Sequence, residues 1–147
     1  MSAPSRPILA AEDEENDRFI LNLAFERAGL ANPLVTVCDG QEAVDYLAGS
    51  ARYADRSMHP LPALLVLDLK MPRMSGFDVL AWLSTRPELK YLPAVVLSSS
   101  SDDSDIQKAR QLGAREYFVK PHTLADFVKI LQTLHARWLP TTLATAK

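Results

Sequence analysis

Short apolar runs alternate along this chain with longer stretches in which apolar residues return every three or four positions. The first run, Pro7 to Ala11 (PILAA), stops abruptly at Glu12-Asp13. From Asn16 onward Phe19, Ile20, Leu23 and Ala24 fall on one helical face, and Gly29 offers a C-terminal stop. Leu34 to Val37 is a short strand pattern. Asp39-Gly40-Gln41-Glu42 then has the form of a capping box, with Ala43, Val44 and Leu47 as the apolar stripe of the helix it opens. Gly49 to Pro62 carries no periodicity and is expected to be the main loop.

Ala63 to Leu67 is apolar throughout, the pattern of a strand buried on both faces. Phe77, Leu80, Ala81 and Leu83 follow at helical spacing, widened by Val79 and Trp82, until Pro87. Pro93 to Leu97 is a fourth buried run, ending in serines. Ile106, Ala109 and Leu112 predict a shorter helix closed by Gly113. Tyr117 to Val119 is a fifth strand, cut off by Lys120-Pro121. Thr123 then caps a last helix with the stripe Phe127, Ile130, Leu131, Leu134 and Trp138. Strands alternating with helices in this way predict an α/β fold: a five-stranded parallel sheet with helices on both faces and right-handed crossovers.

Composition narrows the function classes. The chain has 147 residues, the size of one domain with a real core, and a formal charge of -2. No basic excess marks a nucleic-acid binder, and no apolar run approaches a membrane span. Met1 to Arg6 lacks the apolar centre of a signal peptide. The single cysteine, Cys38, cannot form an internal disulfide and is expected to pack at a strand end. These features predict a cytoplasmic protein of one domain, with a core from about 7 to 138 and a tail from 139 to 147. That tail is too short for an output module.

In doubly wound parallel sheets reactive groups gather beyond the carboxyl ends of the strands. Here those ends are Glu12-Asp13, Asp68, Ser98 and Lys120. Asp68 is the most telling, because it interrupts the run Leu64-Leu65-Val66-Leu67 where an aliphatic residue would be at home. Three carboxylates meeting at one rim repel one another and invite a hard divalent cation, for which Mg²⁺ is suited. A lysine and a hydroxyl beside them could hold an oxyanion, and the carboxylate facing all three is a plausible phosphoryl acceptor. Each residue alone has a plainer reading: a cap aspartate, a helix N-terminal acid pair, a surface lysine. Ser98 competes with Ser99 for the hydroxyl role, and Ser98 is preferred because it follows the strand directly. His59, His122 and His135 have no metal-ligand spacing.

Glu12-Asp13, Asp68 followed by Met71-Pro72 and Gly76, Ser98, Tyr117, and Lys120-Pro121 together resemble the receiver domain of two-component response regulators. Any one element is common, but the ordered set at successive strand ends is specific. The resemblance spans about Pro7 to Trp138 and implies a flavodoxin-like (βα)5 fold. It implies that Asp68 accepts a phosphoryl group from a sensor histidine kinase. Mg²⁺ would be bound by Asp13, Asp68, Glu12 (directly or through water) and the backbone carbonyl of Lys70. Ser98 and Lys120 would hold phosphoryl oxygens, and Tyr117 would be an aromatic switch rather than only a half-buried strand aromatic. Lys120-Pro121 is where the family usually has a cis peptide bond.

A narrower resemblance rests on the long loop before the third strand, Ser100-Ser101-Asp102-Asp103, and the terminal segment from Arg137 to Leu143. These are similar to stand-alone regulators of bacterial and cyanobacterial phytochromes. They imply a phytochrome-type kinase partner. They also imply a homodimer through the face of the fourth helix, fifth strand and fifth helix, with the tail reaching across.

Two other functions compete. Aspartate-nucleophile phosphatases carry a second aspartate two residues after the nucleophile, where this chain has Lys70. A pseudo-receiver would bind partners without phosphorylation, which the complete set of acids, hydroxyl and lysine disfavours.

Overall fold

The computed structural model describes residues 6–139. Ten regular elements alternate: β1 (Ile8–Ala11), α1 (Glu15–Ala28), β2 (Leu34–Val37), α2 (Gly40–Ala48), β3 (Leu64–Leu67), α3 (Gly76–Leu83), β4 (Ala94–Ser98), α4 (Asp103–Gln111), β5 (Glu116–Val119) and α5 (Leu124–Trp138). All strand pairs are parallel, in the order β2-β1-β3-β4-β5. The expected α/β architecture is the one observed.

Strand periodicity divides the core in two. Leu9, Ala11, Leu65, Leu67 and Val96 point to one face and pack with α2, α3 and α4 through Ala43, Leu47, Val79, Leu80 and Ala109. Ile8, Ala10, Leu64, Val66, Val95 and Leu97 point to the other, against Leu21, Ala24 and Phe25 of α1 and Phe127, Leu131 and Leu134 of α5. Every residue of β1, β3 and β4 is buried. Each large aliphatic side chain so enclosed contributes roughly 1.5–3 kcal/mol, so strands this short hold their register firmly.

The rotation of α1 differs from the expected stripe. Leu21, Ala24 and Phe25 are buried, whereas Phe19 is 67% and Ile20 38% exposed. Two overlapping helical stripes were available, and the rotation that buries Leu21, Ala24 and Phe25 is accompanied by polar contacts at the helix start. Asp17 reaches Lys120, and Arg18 donates from Nη1 to the carbonyl of Glu12 at 2.8 Å. Leu21, Ala24 and Ala28 lie on the same face as Asp17, so burying Leu21, Ala24 and Phe25 brings Asp17 to Lys120.

Other local expectations are refined. Asp39 caps α2 by accepting from the Glu42 N–H at 2.8 Å, but the Glu42 carboxylate accepts from Cys38 N–H rather than from the cap residue. The reciprocal capping box belongs to α3, between Ser75 and Asp78. Thr123 caps α5 as expected. Cys38 is exposed, not packed: it follows β2, an edge strand that ends at the buried Val37, and strand alternation turns the next side chain to solvent. The stretch from Gly49 to Pro62 is ordered by specific contacts. Arg56 donates to the carbonyls of Tyr46, Leu47 and His59, Tyr46 Oη donates to Pro60 O at 2.8 Å, and the rings of Tyr46, Tyr53 and His59 pack together. No helix among the described residues is long and apolar enough to cross a membrane. The tail expected to reach across a dimer lies, from 140 onward, outside the described residues.

Candidate functional site

The parallel sheet delivers the ends of β1, β3, β4 and β5 to one rim. Glu12 and Asp13 follow β1 directly, Asp68 follows β3, Ser98 closes β4 and Lys120 follows β5. Backbone hydrogen bonds extend the sheet past the regular strands and fix these ends. Glu12 N–H donates to Val37 O at 3.0 Å, Asp68 N–H to Ala11 O at 3.1 Å and Lys120 N–H to Ser98 O at 2.8 Å.

Glu12, Asp13 and Asp68 converge, each offering a carboxylate oxygen within 4.8 Å of the others. Glu12 and Asp68 are buried and Asp13 is half-buried. Lys120 extends its ammonium into the same space and donates to Glu12 Oε1 at 2.7 Å, Asp17 Oδ2 at 2.8 Å and Asp68 Oδ2 at 3.0 Å. Burial pushes the Glu12 carboxyl up to about 7, against the lowering effect of hydrogen bonds from Lys120 and the Glu14 N–H. Burial alone would pull Lys120 down, but hydrogen bonds to Asp17 and Glu12 and the charge of Asp68 overcome it, so its ammonium is held well above the usual lysine range.

Three carboxylates thus share one ammonium, and a fourth, Asp13, adjoins Glu12 and Asp68. The surplus negative charge and the three converging carboxylates fit a hard divalent cation held by Glu12, Asp13 and Asp68. Lys70 has an exposed side chain, and its N–H lies 3.4 Å from Asp68 Oδ1. Ser98 is 1% exposed whereas Ser99 faces solvent. Tyr117 is half-buried, and its hydroxyl donates to Ser100 O at 2.7 Å, on the segment joining β4 to α4.

One expectation is corrected and one residue is added. The Lys120–Pro121 bond is trans, since no cis peptide bond occurs among the described residues. Trans is the lower-energy isomer of an X–Pro bond, and from it Lys120 already reaches three carboxylates. Asp17 is the addition. Its sequence context is that of an ordinary acid in the first turn of a helix, favoured there by the helix dipole. Its position five residues beyond Glu12, at the head of the buried stripe, was the available signal.

A five-stranded parallel sheet in this order, with acids, a hydroxyl and a lysine at the carboxyl ends of its strands, defines a receiver. Residues 8–132 match the family described as the response regulator receiver domain, and the chain belongs to that family. It is 31% identical to the response regulator Rcp1 of Synechocystis over 140 residues, covering 95% of this chain and 93% of that protein. Among solved structures, the response regulator RPA3017 in red light signaling of R. palustris superposes with a TM-score of 0.86 at 37% identity, covering 92% of this chain and 95% of the other. The phosphorylated cyanobacterial phytochrome response regulator RcpA superposes at 0.83 and 33%, covering 93% and 96%. The Mn²⁺-bound form of Rcp1 superposes at 0.79 and 30%, covering 92% and 96%.

Proposed function

We propose that this receiver is a phosphorylation-gated switch in which Asp68 is the phosphoacceptor. The observation that carries this reading is the 3.0 Å contact of Lys120 with Asp68, beside Glu12 and Asp13 at metal-binding separation. Asp68 Oδ1 or Oδ2 attacks the phosphorus of a phosphohistidine on a sensor kinase. The P–N bond breaks, the imidazole leaves with its electron pair, and an acyl phosphate forms on Asp68. Lys120 supplies positive charge where phosphoryl oxygens gather, and Ser98 supplies a hydroxyl donor. Glu12, Asp13, Asp68 and the carbonyl of Lys70 are the residues that would hold Mg²⁺, which when bound offsets the charge of the incoming phosphoryl group.

The acyl phosphate adds charge and acceptor oxygens at the rim. Ser98 is drawn toward them, the segment from Ser99 to Asp102 follows, and Tyr117 loses or changes its hydrogen bond to Ser100 O. Phosphorylation therefore biases a two-state loop rather than running a turnover cycle.

The relatives named for red light signaling and for a phytochrome support a phytochrome-type histidine kinase as the cytoplasmic phosphodonor. The signal passes on by protein contact, with a homodimer through α4, β5 and α5. On that face Val119 is 43% exposed, and Glu116 is joined to both Arg137 and Trp138. Light scattering coupled to size exclusion, with and without beryllofluoride, checks the dimer; a monomer in both states refutes it.

The deciding experiment is labelling by acetyl phosphate with Asp68→Asn as control. Stable label on Asp68 is expected. Rapid multiple turnover would instead indicate a phosphatase, and an unlabelled wild type a pseudo-receiver.

A further inference from the structure

Asp17 is tied to the switch lysine without being needed for metal or phosphoryl chemistry. An ammonium has three N–H donors, and Lys120 spends one each on Glu12, Asp17 and Asp68. It has none left. On the reading that Asp68 is phosphorylated, a phosphoryl oxygen can gain Lys120 only by displacing one of these acceptors.

The three acceptors are not equally easy to displace. The side chain of Glu12 is 7% exposed, so a freed Glu12 carboxylate would stay largely unhydrated. Asp68 carries the phosphoryl group itself. The side chain of Asp17 is 38% exposed, so water can replace Lys120 at little cost. After release its charge is still favoured at the start of α1, where the cap residue Glu14 makes no side-chain cap hydrogen bond.

We propose that Asp17 is the resting-state partner of Lys120, surrendered when Lys120 takes a phosphoryl oxygen, so that α1 responds to the state of Asp68. Asp17 stands at the head of the stripe that packs α1 inward through Leu21 and Ala24. It also lines the groove shared by Ile20, Leu23, Pro121 and Phe127. Releasing it loosens the bond between the start of α1 and the β5–α5 connection and leaves an unpaired carboxylate at the mouth of that groove. Asp17 is thus a positioning residue, acting on the acceptor through Lys120.

Beryllofluoride binding at saturating Mg²⁺ tests this. Asp17→Asn removes the competing charge while keeping the size of the side chain, and it should tighten binding about fivefold, the scale of a half-exposed ion pair. Asp17→Glu should return affinity toward wild type. A crystal structure of the wild-type complex should place Lys120 Nζ beyond hydrogen-bond reach of Asp17, more than about 3.5 Å away. Unchanged or weaker binding by Asp17→Asn, or a retained Lys120–Asp17 bond in the complex, overturns the proposal while leaving the phosphoacceptor reading intact. A wild type that does not bind beryllofluoride overturns both.

Discussion

Gly76 and Asp68 meet where only a hydrogen atom fits. A Cβ built on Gly76 would lie 2.3 Å from the carbonyl oxygen of Asp68 and 3.0 Å from Leu69 Cα. The Gly76 N–H also donates to Leu69 O at 2.9 Å, so the first residue of α3 is pressed against the backbone that carries the acceptor. These neighbours are backbone atoms and cannot swing aside. Gly76→Ala should cost about 2–3 kcal/mol in urea unfolding, the scale of an overpacked core. It should also slow labelling of Asp68 by acetyl phosphate, because the clash is relieved by moving the acceptor. Unfolding and labelling both at wild-type level would mean the loop accommodates a methyl group elsewhere.

The loop that follows Asp68 is held at its far side by Asp39 and Arg73. Arg73 has a left-handed backbone (φ 65°), and its guanidinium makes two hydrogen bonds to Asp39, at 2.9 and 3.2 Å. Burial would raise the Asp39 carboxyl, but hydrogen bonds from Arg73 and the Glu42 N–H and the charge of Arg73 lower it below its usual 3.8. A depressed acid stabilises the fold above its unfolded value and loses that contribution as pH falls through the folded value. Wild type should therefore lose stability as pH falls below about 4 more steeply than Asp39→Asn, which keeps a capping oxygen but not the charge. Arg73 is 60% exposed at its side chain, so the difference at pH 7 should stay below about 1 kcal/mol. Urea unfolding at a series of pH values reads it; parallel curves for the two proteins would refute it.

Lys70 is the residue to change for the lifetime of the switch. It stands two positions after Asp68, its side chain is exposed, and no salt bridge holds it among the described residues. If Asp68 is the phosphoacceptor, as proposed, a long cation two residues away would hinder water approaching the phosphorus. Lys70→Asn should shorten the lifetime of the phosphorylated protein roughly fivefold, a barrier change of about 1 kcal/mol. Decay of label after removal of acetyl phosphate measures it, and an unchanged rate sinks the idea.

What the sequence disclosed and what it hid have separate physical origins. Central parallel strands bury both faces, so β1, β3 and β4 announce themselves as unbroken apolar runs, and a polar residue ending such a run stands out. Asp68 and Ser98 were legible for that reason. The rotation of α1 was not, because stripes through Leu23 or through Leu21 both satisfy helical spacing, and packing against residues distant in sequence on β1, β3 and α5 decides between them. The order of the segment from Gly49 to Pro62 was hidden too, since Arg56 holds it through backbone carbonyls that leave no trace in residue pattern. Asp17 itself looked like any helix N-terminal acid until β5 brought Lys120 within 2.8 Å of it.

Asp13 exposes the conflict between the site and the fold. Among the described residues no ion pair or side-chain hydrogen bond holds its carboxylate, while Glu12 and Asp68 offer oxygens within 4.8 Å of it. Without a metal ion it has no direct partner to offset its repulsion with Asp68 and the charged fraction of Glu12, which at this separation and partial burial is worth at most about 1 kcal/mol. Asp13→Asn should therefore raise the melting temperature of the metal-free protein, by about 3 °C for a chain of this size. In the wild type, Mg²⁺ at a hundred times its dissociation constant should add about 2.7 kcal/mol. The variant lacks one ligand charge and should gain far less. The two melting curves should thus cross in order as Mg²⁺ is added, the variant more stable without the ion and the wild type more stable with it. A variant less stable than wild type in the presence of a chelator would show that Asp13 has a structural role which outweighs the repulsion.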